Sequence, residues 1–539
     1  MATRPATRKS SGKKSKTSRP ASTGAKKKPA RSRRATGGAR SKPTPRKRPA
    51  PATKRPARRM RAPAKKQPAR SRKPAKRSSL GRAAARAGDA ANGLRVRMYR
   101  VGFGDFFLLT VPTEAAGPQH ILIDCGVHAG NIKSMPDCVA DLVAVTKRKL
   151  ALVIVTHYHA DHLSGFATQY DEFAQFEVGA VWITNRLDPG DAQAMAFKSQ
   201  LALLSNHLRL QLQLRLAAGE DLAATQALAK VENALGVGFG VAGSGNEKAM
   251  DLVTKGFSNH PPIHYYEAGD APALPPVLQG AITAEILGPS PKASEGDFTA
   301  SDNKTEQYLA AVSVSGLTDT NSVRPFDLDW PASASDYPAD AFRPWPGFRE
   351  MEKALHAVQP DALAAAADLV DGTLNNQSLV VLFTCRGKKL LFVGDAQWGN
   401  WAYWLYGRSV KGKDPGISER AREILGSIDF YKVGHHGSTN ATPIPAVGAM
   451  PGACVAMCST ETGYPSDKRT YGSIKKKTEV PRIALMEALE EQTGAKLVRS
   501  DWIAVDGKAP ASPEAREQLE KLPPNFVAGE IYVDYIFPA

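Results

Sequence analysis

Residues Val153 to Gly165 read VIVTHYHADHLSG. An apolar run ends there, and three histidines and an aspartate follow within the six residues His157 to His162. A run such as LALVIVT suits a strand covered on both faces of its sheet. On extended chain, side chains two apart share a side, so His157 and His159 point together. Asp161 and His162 follow at the turn into a predicted helix, Leu163 to Phe173. Four polar groups buried behind such a strand, with only hydrogen bonds to hold them, would be costly. Nitrogen and oxygen donors at this spacing suit metal ions instead, and HxHxDH can serve two neighbouring cations.

The surrounding pattern alternates strands and helices. LRVRMYRVGFGDFFLLTV reads as two strands around a turn at Val101–Asp105, and HILIDCG and GAVWITN as two more. Pro136 to Lys149 is helix-like, and Asp191 to Leu235 carries one long helical pattern. Pro291 to Pro360 is rich in Ser, Asp, Pro and Trp and reads as an irregular insertion. ITAEILGPS reads as a strand, and QSLVVLFTCRG with KKLLFVGD reads as a hairpin. IDFYKVGHHGS and GACVAMCST supply later strands. Trp398, Trp401 and Trp404 recur at helical spacing and are expected in a core. Polar clusters fall just after strand ends, as ligand sites do in layered α/β folds.

Charge divides the chain in two. Residues 1–88 hold 32 Lys and Arg and no Asp or Glu, so the remainder carries 72 − 32 = 40 basic against 52 acidic residues, or −12. The basic segment is built from Lys, Arg, Pro, Ala and Ser, with too few large apolar residues to offset the entropy of ordering. It is expected to be a disordered tail, resembling linker-histone-like tails, that binds nucleic acid through counterion release. A transit peptide or solubilising arm is the competing reading. No secretory signal or membrane-length apolar run is read, and a cytoplasmic location is expected, with association with the nucleoid as a further reading. Cys125, Cys138, Cys385, Cys454 and Cys458 form no CxxC pair and are expected reduced and buried.

Taken together, ILIDCG with Asp124, HYHADH, LLFVGDAQ with Asp395 and KVGHHGS with His435 and His436 resemble the metallo-β-lactamase superfamily. The branch they resemble is the hydrolase domain of competence DNA-uptake proteins (ComEC-like). Its elements stand in order as VGFGD, HADHLSG, NNQSLV, VGD and KVGHHGS. The resemblance implies a four-layer αββα sandwich over residues 93–539, with insertions at about 190–280 and 291–370, after the tail and linker 1–92. It implies two divalent metal ions. Zn²⁺ fits the nitrogen-rich set, and Mn²⁺ fits if solvent and carboxylate dominate. His157 and His159 would hold one ion, Asp161, His162 and His435 the other, with Asp395 bridging and Asp124 orienting a ring. NNxS at Asn375, Asn376 and Ser378 replaces a further histidine ligand of the superfamily, which leaves the first ion His157, His159, Asp395 and solvent. His207, His260, His264 and His356 read as ordinary histidines. Tyr464 stands where the branch would have histidine.

Two such cations would generate hydroxide from a shared water and clamp a phosphoryl or carbonyl oxygen. The expected catalytic residues are Asp161, Asp395, His436 and Lys432. The last two are candidates to face a substrate phosphate, and His435 against His436 is undecided as the ligand. The leading function is a metal-dependent nuclease or phosphodiesterase acting on DNA or RNA. A hydrolase of a small acyl substrate (β-lactam, lactone or thioester) is one alternative. A non-enzymatic DNA-binding protein with a retired metal site is the other.

Overall fold

The strands that read as continuous apolar runs serve two cores at once. The structure, a computed structural model, describes residues 93–538 except 115, 129–131, 220–221, 237–244, 292–359, 408–415, 462–479 and 503–524. They belong to one unit, Lys76–Ala539. The basic tail, Tyr464, His356 and most of the 291–360 segment lie outside the described residues.

Only helices of eight residues or more are numbered. The first part of the chain runs β1 (Arg95–Tyr99), β2 (Phe106–Val111), β3 (Gln119–Cys125), α1 (Met135–Thr146), β4 (Lys149–Leu150), β5 (Leu152–Val155), α2 (Ala160–Thr168), β6 (Glu177–Val178), β7 (Val181–Thr184), α3 (Ala192–Ala218), α4 (Leu222–Leu235), β8 (Ile263–Tyr266) and β9 (Thr283–Gly288). The second part runs α5 (Pro360–Asn376), β10 (Val380–Cys385), β11 (Lys388–Phe392), α6 (Trp398–Leu405), β12 (Phe430–Lys432), β13 (Val455–Cys458), α7 (Ile483–Gln492), β14 (Leu497–Arg499), β15 (Phe526–Ala528) and β16 (Tyr532–Ile536).

One sheet has the order β15-β16-β1-β2-β3-β5-β7-β8, the other β14-β13-β12-β11-β10-β9, and β4 pairs with β6 apart from both. β3, β5, β7 and β8 run parallel, as do β11 to β14. Parallel neighbours need crossovers, which place helices on the outer faces. Side-chain alternation then sorts each strand. Leu152 and Ile154 enter the core between the sheets with Phe383, Phe392 and Phe430. Val153 and Val155 face outward onto Leu142 of α1 and Phe166 of α2. On the second sheet Val381 and Phe383 face inward, and Val380 and Leu382 pack outward with Trp401 and Leu485. The result is the helix–sheet–sheet–helix order expected. Trp398 and Trp401 are buried, and all five cysteines are buried and free.

β1 is fastened to the last strand by a buried ion pair. Arg97 Nε and Nη2 donate to Asp534 Oδ1 and Oδ2 at 2.7 and 2.8 Å, and the guanidinium lies 3.3 Å from the centre of the Tyr532 ring. Its pairing with Asp534 outweighs the cost of burial and keeps it charged.

The single helical pattern of 191–235 is two helices, divided at Gly219. Asp191 caps α3 by accepting from the backbone N–H groups of Gln193 and Ala194. Phe197, Leu208 and Leu212 of α3 pack with Val231 of α4 and with Leu363, Val370 and Leu374 of α5. α5 differs from the reading of 291–370 as one insertion, because its last turn leads directly into the NNQS segment and β10. No helix among the described residues is long and apolar enough to cross a membrane.

His120 on β3 carries a pH-dependent part of this stability. Burial, then Arg95 and Arg97, lower its pKa to about 4. The folded chain holds the neutral ring, while the unfolded chain takes up a proton below about pH 6.5. This contribution is therefore complete above that pH and is lost as pH falls toward 4. Urea denaturation at pH 7 and pH 5 should show His120→Gln losing about 1–2 kcal/mol less than wild type. Equal losses would remove His120 as the cause.

Candidate metal centre

β5 ends at Val155, the chain bends at Tyr158, and His159 itself is extended (φ −87°, ψ 150°). α2 starts at Ala160, three residues earlier than the sequence pattern suggests, so Asp161 and His162 sit buried in its first turn. The turn between β1 and β2 clamps this loop through its backbone. Asp105 N–H donates to Asp161 O at 2.9 Å, and Gly126 N–H donates to Asp105 O at 2.9 Å. A Cβ on Gly126 would run into the backbone of Asp161 and His162, and one on Gly104 into the backbone of Gly126, Val127 and Asp161, so neither has room for one.

The remaining groups arrive from the second sheet. Asp395 follows β11 through Gly394, whose φ is 53°. His435 and His436 follow β12 in a tight turn with left-handed backbone, φ 42° and 52°. That turn decides which histidine faces inward. His436 Nε2 lies 3.2 Å from Asp161 Oδ2 and 3.3 Å from Asp395 Oδ2. His162 Nε2 lies 3.1 Å from Asp395 Oδ2 and 3.9 Å from Asp161 Oδ1. Donor atoms of Asp161, His162, Asp395 and His436 all fall within 4.8 Å of one another, and so do those of His157, His159 and Asp161. Asp161 is common to both groups.

The outer faces of three rings are pinned. His436 Nδ1 lies 2.9 Å from Ser459 O, which can only accept, so Nδ1 carries a proton and Nε2 is the nitrogen that faces the cluster. His162 Nδ1 pairs with Asp124 Oδ2 at 2.8 Å. Thr156 Oγ1 donates to Asp124 Oδ2 at 2.7 Å and so accepts from His157 Nδ1 at 3.0 Å. Asp124 also accepts the Thr156 N–H at 2.8 Å. One carboxylate thus sets the orientation of two rings, as outer partners of metal-bound histidines do.

The inner face is the reverse. His162 Nε2 and Asp395 Oδ2 are buried and face each other at 3.1 Å without hydrogen-bond geometry. Such atoms are costly unless something else binds them. Converging imidazole nitrogens and carboxylate oxygens are the donor set of a divalent cation, so the residues fit metal. Burial works against charge on Asp161 and Asp395, but the neighbouring His162 and His436 hold both carboxyls well below their usual range. Burial likewise disfavours charge on His436, and Asp395 and Asp161 overcome it, raising the ring to about 10. His157 is lowered, first by burial and then by His162 and His159.

His157, His159, Asp161, His162 and Asp395 meet. His435, assigned as a ligand from the resemblance, is not in the cluster; the left-handed turn puts His436 there instead. The His435 ring faces Asn375 Nδ2 at 3.2 Å through Nε2 and Asn440 Oδ1 at 3.1 Å through Nδ1. Lys432, expected against a substrate phosphate, is 2% exposed and turned onto the protein. It pairs with Asp105, with Asp395 Oδ1 at 3.3 Å and with Gly394 O at 2.7 Å, and the two carboxylates overcome burial to keep it charged. In the NNQS segment, Ser378 Oγ accepts the Asp395 N–H at 3.0 Å, and Asn376 Oδ1 accepts the Asn400 N–H at 3.1 Å. The segment braces Asp395 and α6.

Sequence reasoning missed three partners. Asp105 is the last residue of VGFGD, quoted for the motif and given no role. Asn233 on α4 holds Asp161 twice: Nδ2 donates to Asp161 Oδ1 at 3.0 Å, and Oδ1 accepts the Asp161 N–H at 3.1 Å. Asp371 on α5 lies 3.9 Å from both His159 Nε2 and His435 Nε2. Asn233 and Asp371 carry no signal in the sequence, because single polar residues on helices look solvated.

Fold and site together define a metallo-β-lactamase-type α/β sandwich with a buried His/Asp cluster fit to hold metal. Residues 114–169, from the approach to β3 through the end of α2, match the family model of the metallo-beta-lactamase superfamily. That match points to a metal-dependent hydrolase. Comparison with curated proteins gave no match.

Proposed function

We propose that this chain is a metal-dependent phosphodiesterase acting on nucleic acid, with residues 1–88 holding the polyanion near the site. The convergence of His157, His159, Asp161, His162, Asp395 and His436 from distant parts of the chain carries the metal-dependent half of this reading. The nucleic-acid half is supported by the +32 tail and by the ComEC-like order of VGFGD, HADHLSG, NNQSLV, VGD and KVGHHGS. Divalent cations held by these six residues would acidify a bound water and polarise a phosphoryl oxygen. Zn²⁺ suits a set with four imidazoles.

The remaining residues have separate tasks. Asp124, Thr156 and Ser459 fix ring tautomers. Lys432 and the His435 N–H engage Asp395 Oδ1, which leaves Oδ2 for the cluster. Asn233 holds Asp161 in register with both donor groups.

A substrate panel tests the reading: bis-p-nitrophenyl phosphate, plasmid, single-stranded DNA, RNA, nitrocefin and a lactone, each with Zn²⁺ and with Mn²⁺. Turnover of the phosphodiester and of at least one nucleic acid is expected. Turnover of nitrocefin or the lactone with silent phosphodiesters would replace this reading by acyl hydrolysis. Metal-loaded protein inert toward the whole panel would favour a binding protein.

A further inference from the structure

Two helices, α4 and α5, reach the metal centre, and α5 does so through an unassigned carboxylate. We propose that Asp371 of α5 is a positioning residue that accepts the Nε2 proton of His159 and so presents Nδ1 of that ring to the first metal. The inference rests on the metal-dependent reading above.

His159 Nδ1 lies 3.0 Å from His157 Nε2. His157 carries its proton on Nδ1, toward Thr156, so its Nε2 is a lone pair facing His159. For a cation to bind between the rings, His159 Nδ1 must also be a lone pair, which puts the His159 proton on Nε2. That Nε2 is buried, lacks a hydrogen-bond partner and faces Asp371 Oδ1 at 3.9 Å. The separation exceeds a hydrogen bond. The terminal torsion of an aspartate is broad, so a small rotation of Asp371 would close the gap. Asp371 is itself 8% exposed. Its Oδ2 accepts from Asn375 Nδ2 at 3.2 Å and lies 3.9 Å from His435 Nε2, and Lys230 acts on it electrostatically. The carboxylate is thus held at one edge and open toward His159 at the other. Asp161 receives matching support from Asn233 on α4, so α4 and α5 each brace one residue of the cluster.

The test is metal binding itself. Metal-stripped wild type, Asp371→Asn, Asp371→Glu and Asp368→Asn are titrated with Zn²⁺ by calorimetry, bound metal is counted by elemental analysis, and melting of the stripped proteins is recorded. Asp371→Asn should weaken one Zn²⁺ by about 10- to 100-fold, with the melting of the stripped protein unchanged. Asp371→Glu should recover part of that loss. Asp368 lies on the same helix and pairs with Lys230, so Asp368→Asn removes the same charge and should leave Zn²⁺ affinity as in wild type. Wild-type affinity in Asp371→Asn overturns the proposal alone, as does equal weakening in Asp368→Asn. Lower melting of the stripped Asp371→Asn protein with unchanged affinity assigns the residue to packing and also overturns it. A wild-type protein that binds no Zn²⁺ overturns both this inference and the metal-dependent reading.

Discussion

Asp161→Ala is expected to lower phosphodiester turnover by at least about 10³-fold and to reduce bound metal in both positions. Asp161 is the residue shared by the two donor groups, and its carboxylate meets His436 at 3.2 Å. Its loss also strands Asn233, whose amide donates to it. Paired variants sharpen the test. His436→Ala should lose metal nearly as severely, and His435→Ala should keep it, because only His436 points its Nε2 into the cluster. Elemental analysis of the purified variants decides. Metal lost from His435→Ala and retained by His436→Ala would show that the turn after β12 is read in the wrong sense.

Removing residues 1–88 is expected to cut DNA affinity by at least about 100-fold near 0.1 M salt and to flatten its salt dependence. The segment carries +32, and the rest of the chain carries −12, so the truncated protein should repel the polyanion on average. Turnover of bis-p-nitrophenyl phosphate should persist, because that substrate needs no tether. Affinity measured by anisotropy at several salt concentrations checks this. An unchanged slope of log K against log salt would mean that the acidic part of the chain binds DNA by itself.

Much of the architecture was legible because burial on two faces leaves a plain mark. LVIV (152–155) and LVVLF (379–383) are apolar at every position since each neighbour faces a different core. HYHADH was legible for the opposite reason, since so many polar rings after such a strand demand a partner. The choice between His435 and His436 was not legible. Strand alternation stops at Lys432, and two non-glycine residues in left-handed backbone reverse the direction of the rings. Lys432 looked like a strand-end lysine free to meet phosphate; only the fold brings Asp105 and Asp395 onto it. Asn233 and Asp371 were hidden because a polar residue on a helix reads as solvent-facing until another element covers it.

The close seating of Gly104 and Gly126 on the backbone of Asp161 and His162 has a practical result for mutagenesis. A scan for inactive variants should score these two glycines beside the metal-binding residues, although neither brings a functional group. A single added methyl at Gly126 would shove an acid and a ring out of place together. Loss of activity at either position therefore reports a displaced loop, and bound-metal counts are needed before such a hit is filed under chemistry.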